Sequence, residues 1–347
     1  MKLDVFTHVH PKRFLDRLVA ASPQLGGEIA LVYGVNALHD MDVRFRLMDT
    51  VGGDYRQVLC LSGPSLDTLP PAQAVELSRL ANDEMAALVA DHPDRFEGFA
   101  ATLPMNTATE PSLADAALRE SERAIRELGA LGVQVHTQVA GRPVTAPETM
   151  QVFDVVAGLN GAVWLHPERG QEHHDYMGAS RSEFEIWFAL GWPHETSVAM
   201  AHIVFSGVFD RHPELVIIAH QMGGTIPYLE GRIANVWERL GARTPDRPYV
   251  ALRQAMTRRP VDYFRMFHSD TVGAVGPTAL QCCTEFFGVD RLMYASDAPF
   301  GPNGGQGYLQ STMASLDALA ISSQQRQAIY EHNARRALRL LKAATSS

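Results

Sequence analysis

The chain has 347 residues, of which 46% are hydrophobic and 20% charged, so it can bury a large core without disulfides. Its net charge of −9 argues against nucleic acid or an anionic membrane as the main partner, and no apolar run approaches the roughly 20 residues that a membrane span needs. With three cysteines and no secretory signal pattern at its start, we expect a cytoplasmic protein with reduced thiols.

Eight strand-like segments alternate with helical segments along the chain. The first is an apolar run that ends at His8-Val9-His10, and residues 11–42 then form a long excursion with weak periodicity. Because long excursions in compact domains tend to be functional, we expect this one to influence the choice of substrate. The other strands are predicted at 57–61, 96–103, 132–136, 162–166, 215–220, 264–269 and 291–297. Helices are predicted at 42–50, 71–91, 113–128, 147–159, 196–209, 228–240, 277–287 and over the C-terminal part to about residue 343, with Ser323 as an N-cap.

The strands are mostly continuous apolar runs, which is typical of buried parallel strands. Eight such strands alternating with helices predict an α/β fold, a (β/α)8 barrel of the TIM type with an insertion after strand one. The alternative is an open doubly wound sheet, which would usually place a glycine-rich phosphate turn where His8-Val9-His10 stands. Because no internal repeat or linker is visible, residues 1–347 are expected to form a single domain.

Polar residues stand at the ends of four predicted strands. His8 and His10 end strand one, His166 ends strand five, His220 ends strand six and Asp297 ends strand eight. In a barrel the carboxyl ends of the strands converge on one face, where catalytic residues are usually found. Three histidines and a carboxylate suit zinc or a similar divalent ion. A single histidine that closes an apolar strand is often structural, but five such residues at four strand ends predict a metal site.

Several short motifs carry a resemblance to a known family. They are His8-Val9-His10, His166-Pro167, Ala219-His220 followed by Gly223-Gly224, and the segment SDAPF at 296–300. Together they resemble the amidohydrolase superfamily, and more closely its decarboxylase branch, typified by aminocarboxymuconate semialdehyde decarboxylase. The similarity covers most of the chain outside about residues 26–42, through segments 101–105, 132–134, 192–196, 206–213, 227–228, 231–232 and 333–335.

The resemblance implies roles for the residues at the strand ends. His220 would be the catalytic acid/base residue that activates the metal-bound water or protonates the substrate carbon. Relatives with a His-x-His pair usually use zinc, with manganese or cobalt as alternatives. Strand four ends without a lysine, so the two-metal site of hydrolytic relatives, which needs a carboxylated lysine, is not expected. One divalent metal would be held by His8, His10, His166 and Asp297.

The resemblance also implies residues that bind the substrate. Arg232 matches a family arginine on the helix after strand six. Arg239 lies near a second family arginine that reaches into a neighbouring subunit's pocket, so we expect a homodimer. Trp192 fits an aromatic pocket wall or a subunit contact, with core packing as the alternative.

Other polar residues have two readings in the sequence. His136, at the end of strand four, is compatible with a place in the pocket or with a hydrogen-bonded structural role. Glu168 is expected in a solvated loop, and Asp270 is compatible with a supporting position behind the site. The arginine that binds a carboxylate in muconate-type enzymes has no counterpart in the excursion, and Arg44 and Arg46 are expected to be solvated on their helix.

These features predict a metal-dependent non-oxidative decarboxylase, a carboxy-lyase that acts on an aromatic or conjugated unsaturated carboxylic acid in aromatic compound catabolism. Two alternatives would use the same metal site: a hydratase of a conjugated keto-acid from ring cleavage, and a hydrolase of the lactonase type. A non-catalytic metal-binding barrel is a third alternative, for which metal removal would lower stability while no acid would be turned over. The expected partner is a small carboxylic acid, with no nucleic acid and no membrane.

Overall fold

A computed structural model describes residues 1–22, 30 and 34–340 of the chain. Eight parallel strands lie side by side in chain order within one sheet. The predicted strand order and direction are therefore confirmed. The strands are β1 (Lys2–Val9), β2 (Tyr55–Leu61), β3 (Phe96–Thr102), β4 (Gly132–His136), β5 (Ala162–His166), β6 (Val216–Ala219), β7 (His268–Asp270) and β8 (Leu292–Met293).

The sheet curves back on itself, and the segment that follows β8 is hydrogen-bonded to β1. This closure brings the carboxyl ends of the strands to one rim, which is where a barrel places its functional residues. The (β/α)8 barrel predicted from the sequence is therefore confirmed. Three backbone bonds join Val5 to Tyr294, Asp297 to Phe6 and His8 to Ala298, with N–O distances of 3.0, 3.2 and 2.7 Å.

Helices follow most of the strands and pack on the outside of the barrel. A short antiparallel ribbon pairs Gln138–Val139 with Arg142–Pro143. Among the described residues, no helix is both long enough and apolar enough to cross a membrane. The α-helices are Lys12–Ala21, Met41–Asp49, Pro71–Asp91, Ala116–Arg126, Pro147–Gly158, Ile186–Ala189, Gly191–Phe205, Val208–Arg211, Glu230–Glu238, Tyr249–Ala255, Pro260–Phe264, Pro277–Phe287, Gln306–Asp317, Ser323–Gln327 and Asn333–Ala337, with a π-helical turn at Ala328–His332.

An apolar cluster fills the inside of the barrel below the rim. Trp164 of β5 is fully buried in it and donates a hydrogen bond from Nε1 to the carbonyl oxygen of Val5 at 2.8 Å. Because side chains alternate along a strand, the residues above this cluster on the same face point toward the centre of the rim. The cluster includes Leu3, Val5, Phe6, Val58, Cys60, Ala100, Trp164, Ile218, Met293 and Ala295.

The excursion after β1 begins with a helix that the sequence analysis did not predict. This helix, Lys12–Ala21, buries Phe14, Leu15 and Leu18, whose spacing of three and four residues is a helical signal that the sequence analysis missed. Residues 23–29 and 31–33, which belong to the excursion expected to influence substrate choice, lie outside the described residues. The predicted end of the last helix, near residue 343, also lies outside them.

Two predicted elements have different boundaries in the structure. The strand expected at 264–269 is shorter, because Pro260 starts a helix that continues to Phe264. The helix expected at 196–209 begins earlier, at Gly191, and is interrupted at Gly207. Gly207 has a φ of +75°, a left-handed conformation that suits glycine and ends the helix.

Candidate metal centre

Three histidines converge at the rim of the barrel. His8 lies in β1, His166 ends β5 and His220 follows β6; one ring nitrogen of each lies within 4.8 Å of the others. The rings of His166 and His220 are stacked with centroids 5.1 Å apart, and the ring of His8 meets that of His166 edge-on at 5.3 Å. The structure thus brings together three of the side chains that the sequence analysis selected.

A carboxylate completes this group. Oδ1 of Asp297 lies 2.9 Å from Nε2 of His8 and 3.7 Å from Nε2 of His220. Asp297 has a φ of +66°, which is uncommon for a residue other than glycine, and strained backbone of this kind occurs most often at functional sites. Its conformation is held by its N–H, which donates to Phe6, and by its carbonyl oxygen, which accepts from Phe300.

The donor set fits a divalent metal ion. Nδ1 of His8 and Nε2 of His220 are buried and have no hydrogen-bond partner among the described residues, which is costly unless another ligand is bound there. Burial and the neighbouring histidines hold the pKa of His166 well below its usual range, so its ring is neutral, as metal binding requires. Nδ1 of His166 lies 2.7 Å from the carbonyl oxygen of Pro167 and donates to it, which leaves Nε2 as the ligand atom.

His10, the fourth histidine expected to bind the metal, does not join this cluster. Its ring is fully buried, with Nε2 at 3.0 Å from the carbonyl oxygen of Ser62 and Nδ1 without a hydrogen-bond partner among the described residues. Burial lowers the pKa of His10 to about 4, so this ring is also neutral. A metal bond through Nε2 would replace the hydrogen bond to Ser62, and the ligand role of His10 stays a prediction.

His220 differs from the other histidines because a carboxylate lies behind it. Nδ1 of His220 is 2.6 Å from Oδ2 of Asp270, and both side chains are fully buried. Burial alone would lower the pKa of His220, but the charge of Asp270 and the hydrogen bond to it outweigh burial and raise the pKa. Oδ1 of Asp270 accepts from the backbone N–H groups of Met222 and Val272, at 3.2 and 3.1 Å, which fixes the carboxylate in place. The sequence left the role of Asp270 open, and the structure places it directly behind the predicted acid/base residue.

The expectation that Arg44 is solvated is wrong. Arg44 lies on the helix Met41–Asp49, and only 1% of its surface is exposed. Its guanidinium donates to the carbonyl oxygen of His8, to Thr7 Oγ1 at 2.9 Å and to Gln57 Oε1 at 2.9 Å. The helix packs with position 44 toward β1, whereas Arg46 on the same helix is exposed, as expected.

The hydrogen bonds of Arg44 continue to the segment after β8, which carries Asp297. Gln57 donates to the hydroxyl of Tyr55, and Tyr55 donates to Oδ2 of Asp4 at 2.7 Å. Asp4 also accepts from the backbone N–H and the hydroxyl of Ser296, the residue before Asp297. Burial raises the pKa of Asp4 to about 7 against the opposing effect of these hydrogen bonds. This buried network holds both His8 and Asp297 from behind.

The walls beside the metal centre are aromatic. The ring of Trp192 meets the ring of His166 at 5.4 Å, and Nε1 of Trp192 donates to the carbonyl oxygen of Arg169 at 3.0 Å. The ring of Phe300 lies 5.4 Å from that of His8. Trp192 and Phe300 are both partly exposed, so they border the opening of the site. Such walls suit a flat apolar ligand.

The two arginines predicted to bind substrate are both exposed. Arg232 is on the helix Glu230–Glu238, and Arg239 is the residue that ends it. Neither guanidinium group makes a hydrogen bond or an ion pair with the part of the chain that the structure describes. Their substrate-binding roles stay predictions.

Comparisons with known proteins identify relatives of this chain. The amidohydrolase family profile matches residues 6–340. A gamma-resorcylate decarboxylase from Rhizobium sp. is 31% identical over 311 residues, which cover 86% of this chain and 87% of that protein. A 2-amino-3-carboxymuconate-6-semialdehyde decarboxylase from Dictyostelium discoideum is 31% identical over 231 residues, which cover 66% of this chain and 58% of that protein.

A solved structure is similar over nearly the whole chain. It is a dihydroxybenzoic acid decarboxylase from Polaromonas sp. with bound manganese and the inhibitor 2-nitroresorcinol. The two chains are 25% identical, with a TM-score of 0.74 and coverage of 99% of this chain and 98% of the other. The match of the family profile and the relatives over most of their length confirm the resemblance noted in the sequence. The chain belongs to the amidohydrolase family and, within that family, to its decarboxylase branch.

Proposed function

We propose that this protein is a metal-dependent decarboxylase that removes the carboxylate of an aromatic acid as CO2 without an oxidant. The observation that carries the proposal is the His220–Asp270 pair beside the cluster of His8, His166 and Asp297. A proton donor next to a cation site is what decarboxylation needs, because the carbon that loses CO2 must gain a proton. The curated relatives, which are decarboxylases of aromatic or muconate-type acids, support the same reaction class.

His220 is proposed to be the acid that supplies this proton. Nε2 cannot bind a metal and donate a proton at the same time, so the two roles of His220 exclude each other. The carboxylate of Asp270 favours the protonated ring, whereas a metal ligand must be neutral. His8, His166 and Asp297, with His10 as the fourth ligand, are therefore the proposed metal ligands, and His220 is the proposed catalytic residue.

The reaction follows from these positions. A divalent ion held by the four ligands would act as a Lewis acid on the oxygen atoms of the substrate. His220 transfers the proton from Nε2 to the ring carbon that carries the carboxylate. The bond between this carbon and the carboxyl carbon then breaks, CO2 leaves, and the electron pair of that bond restores the aromatic ring. Asp270 keeps Nε2 of His220 directed at the substrate throughout.

Zinc is the ion that we propose, because a His-x-His pair stands at the end of the first strand. A manganese-bound relative makes manganese the main alternative.

We further propose that residues 1–347 act as one domain, that the protein is cytoplasmic, and that it forms a homodimer in which Arg239 approaches the partner's pocket. Sedimentation velocity of the wild type and of Arg239→Ala tests the dimer. A wild type that sediments as a single species of monomer mass would contradict it.

The test of the reaction is a product analysis. Metal-loaded protein is incubated with a panel of hydroxybenzoates, conjugated keto-acids and lactones, and CO2 and the organic product are quantified together. We expect one CO2 for each aromatic acid consumed and, in D2O, one deuterium at the carbon that carried the carboxylate. A new hydroxyl group without loss of carbon would identify a hydratase instead, and ring-opened lactone without CO2 would identify a hydrolase.

A further inference from the structure

A fourth histidine faces the candidate site from the neighbouring strand. His136 ends β4 and is paired in register with His166, which ends β5. Paired residues of adjacent parallel strands point to the same face, so both imidazoles face the inside of the barrel. Their ring centroids are 5.6 Å apart and their planes meet at 81°. His136 therefore lies about the width of one aromatic ring from the metal centre, without belonging to the three-histidine cluster.

Ser65 contacts Nδ1 of His136 and thereby orients the imidazole ring. Ser65 Oγ accepts from the backbone N–H of Asp67 at 3.2 Å and lies 3.4 Å from Nδ1 of His136. We assign the hydrogen of the neutral ring to Nε2, because this tautomer lets Nδ1 accept from the hydroxyl of Ser65 and lets Nε2 donate toward Glu168.

This Nε2–H group faces a carboxylate. Oε2 of Glu168 lies 3.8 Å from Nε2 of His136, which is too far for a direct hydrogen bond. Glu168 is positioned by its backbone N–H, which donates to Thr137 Oγ1 at 2.9 Å, and its side chain is 30% exposed. A donor and an acceptor at this separation suit a small group that bridges them.

A hydroxyl group fits between these two side chains better than other ring substituents. It accepts a hydrogen bond from Nε2 of His136 and donates one to the carboxylate of Glu168. A methoxy group accepts but has no hydrogen to donate, so it cannot bridge from His136 to the carboxylate of Glu168. A second carboxylate would also lack a hydrogen and would be repelled by Glu168.

We propose that His136 and Glu168 form a subsite that binds a ring hydroxyl of the substrate and makes the enzyme selective for hydroxylated aromatic acids with one carboxylate. This inference rests on the proposed function, because it says which residues bind the end of the same substrate that is far from the carboxylate. Neither residue belongs to the motifs that carry the family resemblance. The carboxyl end of the substrate would lie at the three-histidine cluster and the hydroxyl end at the subsite.

The experiment compares substrates that differ in one group. Metal-loaded wild type is given 2-hydroxybenzoates that carry hydrogen, hydroxyl, methoxy or carboxylate at ring position 4, and the same series at position 5. kcat/KM is measured from CO2 release, and Kd of each corresponding phenol is measured by calorimetry. In one of the two series, we expect the hydroxyl compound to exceed the hydrogen and methoxy compounds by about 10–100-fold, the usual effect of a hydrogen bond to a charged group.

The variant Glu168→Ala separates recognition from a structural role. It should lower kcat/KM for the hydroxyl compound by about 10–100-fold and leave the hydrogen compound within about twofold, because that compound never used the subsite. Glu172→Ala is the matched control. It removes the same charge four residues later from a side chain that is 72% exposed, and it should change neither value.

Two results would overturn the subsite. One is a wild type that shows no preference for the hydroxyl compound in either series, and the other is a Glu168→Ala variant that slows all compounds equally. If no acid releases CO2, the proposed function fails, but the calorimetric series still decides the subsite. A hydroxyl preference in Kd that disappears in Glu168→Ala supports it, and the absence of such a preference contradicts it.

Discussion

The pair of His220 and Asp270 gives the sharpest test of the proposed chemistry, through the variant Asp270→Asn. In the wild type, Oδ2 of Asp270 accepts from Nδ1–H of His220, and Oδ1 accepts from the N–H groups of Met222 and Val272. Asparagine can keep its oxygen at the Oδ1 position, so its NH2 group then faces Nδ1 of His220. That group donates rather than accepts, and it forces the hydrogen of the neutral ring onto Nε2.

The size of the effect follows from this change of tautomer and from the lost charge. Removal of a carboxylate behind a functional histidine typically costs about 10–100-fold in activity, and a wrong tautomer can cost about 10⁴-fold. We therefore expect kcat/KM to fall by about 10²–10⁴-fold, or about 3–5 kcal/mol of transition-state stabilisation. The free energy of unfolding should fall by no more than about 2 kcal/mol, because the two bonds to Oδ1 remain.

Steady-state CO2 release, metal analysis and the pH dependence of kcat measure these effects together. A general acid works below its pKa, so activity should be lost as pH rises through the pKa of His220, which Asp270 raises. In the variant, the pKa of His220 should fall, and this loss should move to lower pH. Retained metal would agree with His220 as the acid, whereas metal loss would identify His220 as a ligand.

Asp154→Asn is the matched control for this variant. Oδ1 of Asp154 also lies 2.6 Å from a histidine nitrogen, Nε2 of His212, but that pair does not involve the metal centre. The control should change neither kcat/KM nor metal content. If Asp270→Asn kept full kcat/KM with metal bound, the role assigned to the His220–Asp270 pair would be refuted.

Three further predictions concern the metal ligands and the network behind them. Arg44→Met should lower the free energy of unfolding by about 3–5 kcal/mol in urea titrations, because it leaves buried acceptors unpaired. Arg46→Met, on the exposed side of the same helix, should change it by less than about 0.5 kcal/mol. Equal effects of the two substitutions would contradict the network. His10→Asn should weaken metal binding at least about tenfold in competition with a chelating dye, and unchanged binding would leave His10 with only its contact to Ser62. Removal of metal should abolish turnover. It should also lower the free energy of unfolding by about 2.7 kcal/mol, compared with protein at a free metal concentration 100-fold above Kd. A Tm that does not change on metal removal would argue against the site.

The parts of the site that the sequence predicted are those set by periodicity. His166 ends one apolar strand and His220 follows another, and the alternation of side chains is enough to place them at the rim once the barrel is recognised. Asp297 follows the same rule, although its left-handed backbone was not foreseeable. The helix Pro71–Asp91 and the strands Gly132–His136 and Ala162–His166 were also predicted with their observed bounds, because each has a strong pattern and clear ends.

The parts that the sequence did not predict depend on tertiary contacts. Arg44 and Arg46 occupy one short helix, and which of them is buried depends on how that helix packs on β1. Asp270 belongs to a strand of three residues, too short for a periodic signal, so its place behind His220 emerges only from the closed sheet. His136 ends β4 and Glu168 follows β5. The distance between them likewise depends on the register of these two strands.

The central claim is that a metal at His8, His166 and Asp297 is required for decarboxylation. It is tested most directly by titrating zinc or manganese into metal-free protein while CO2 release from a hydroxybenzoate is recorded. We expect no CO2 before metal is added, a rate that rises linearly to one metal per chain, and one CO2 for each acid consumed. CO2 release at the full rate without metal, or consumption of the acid without CO2, would contradict the account.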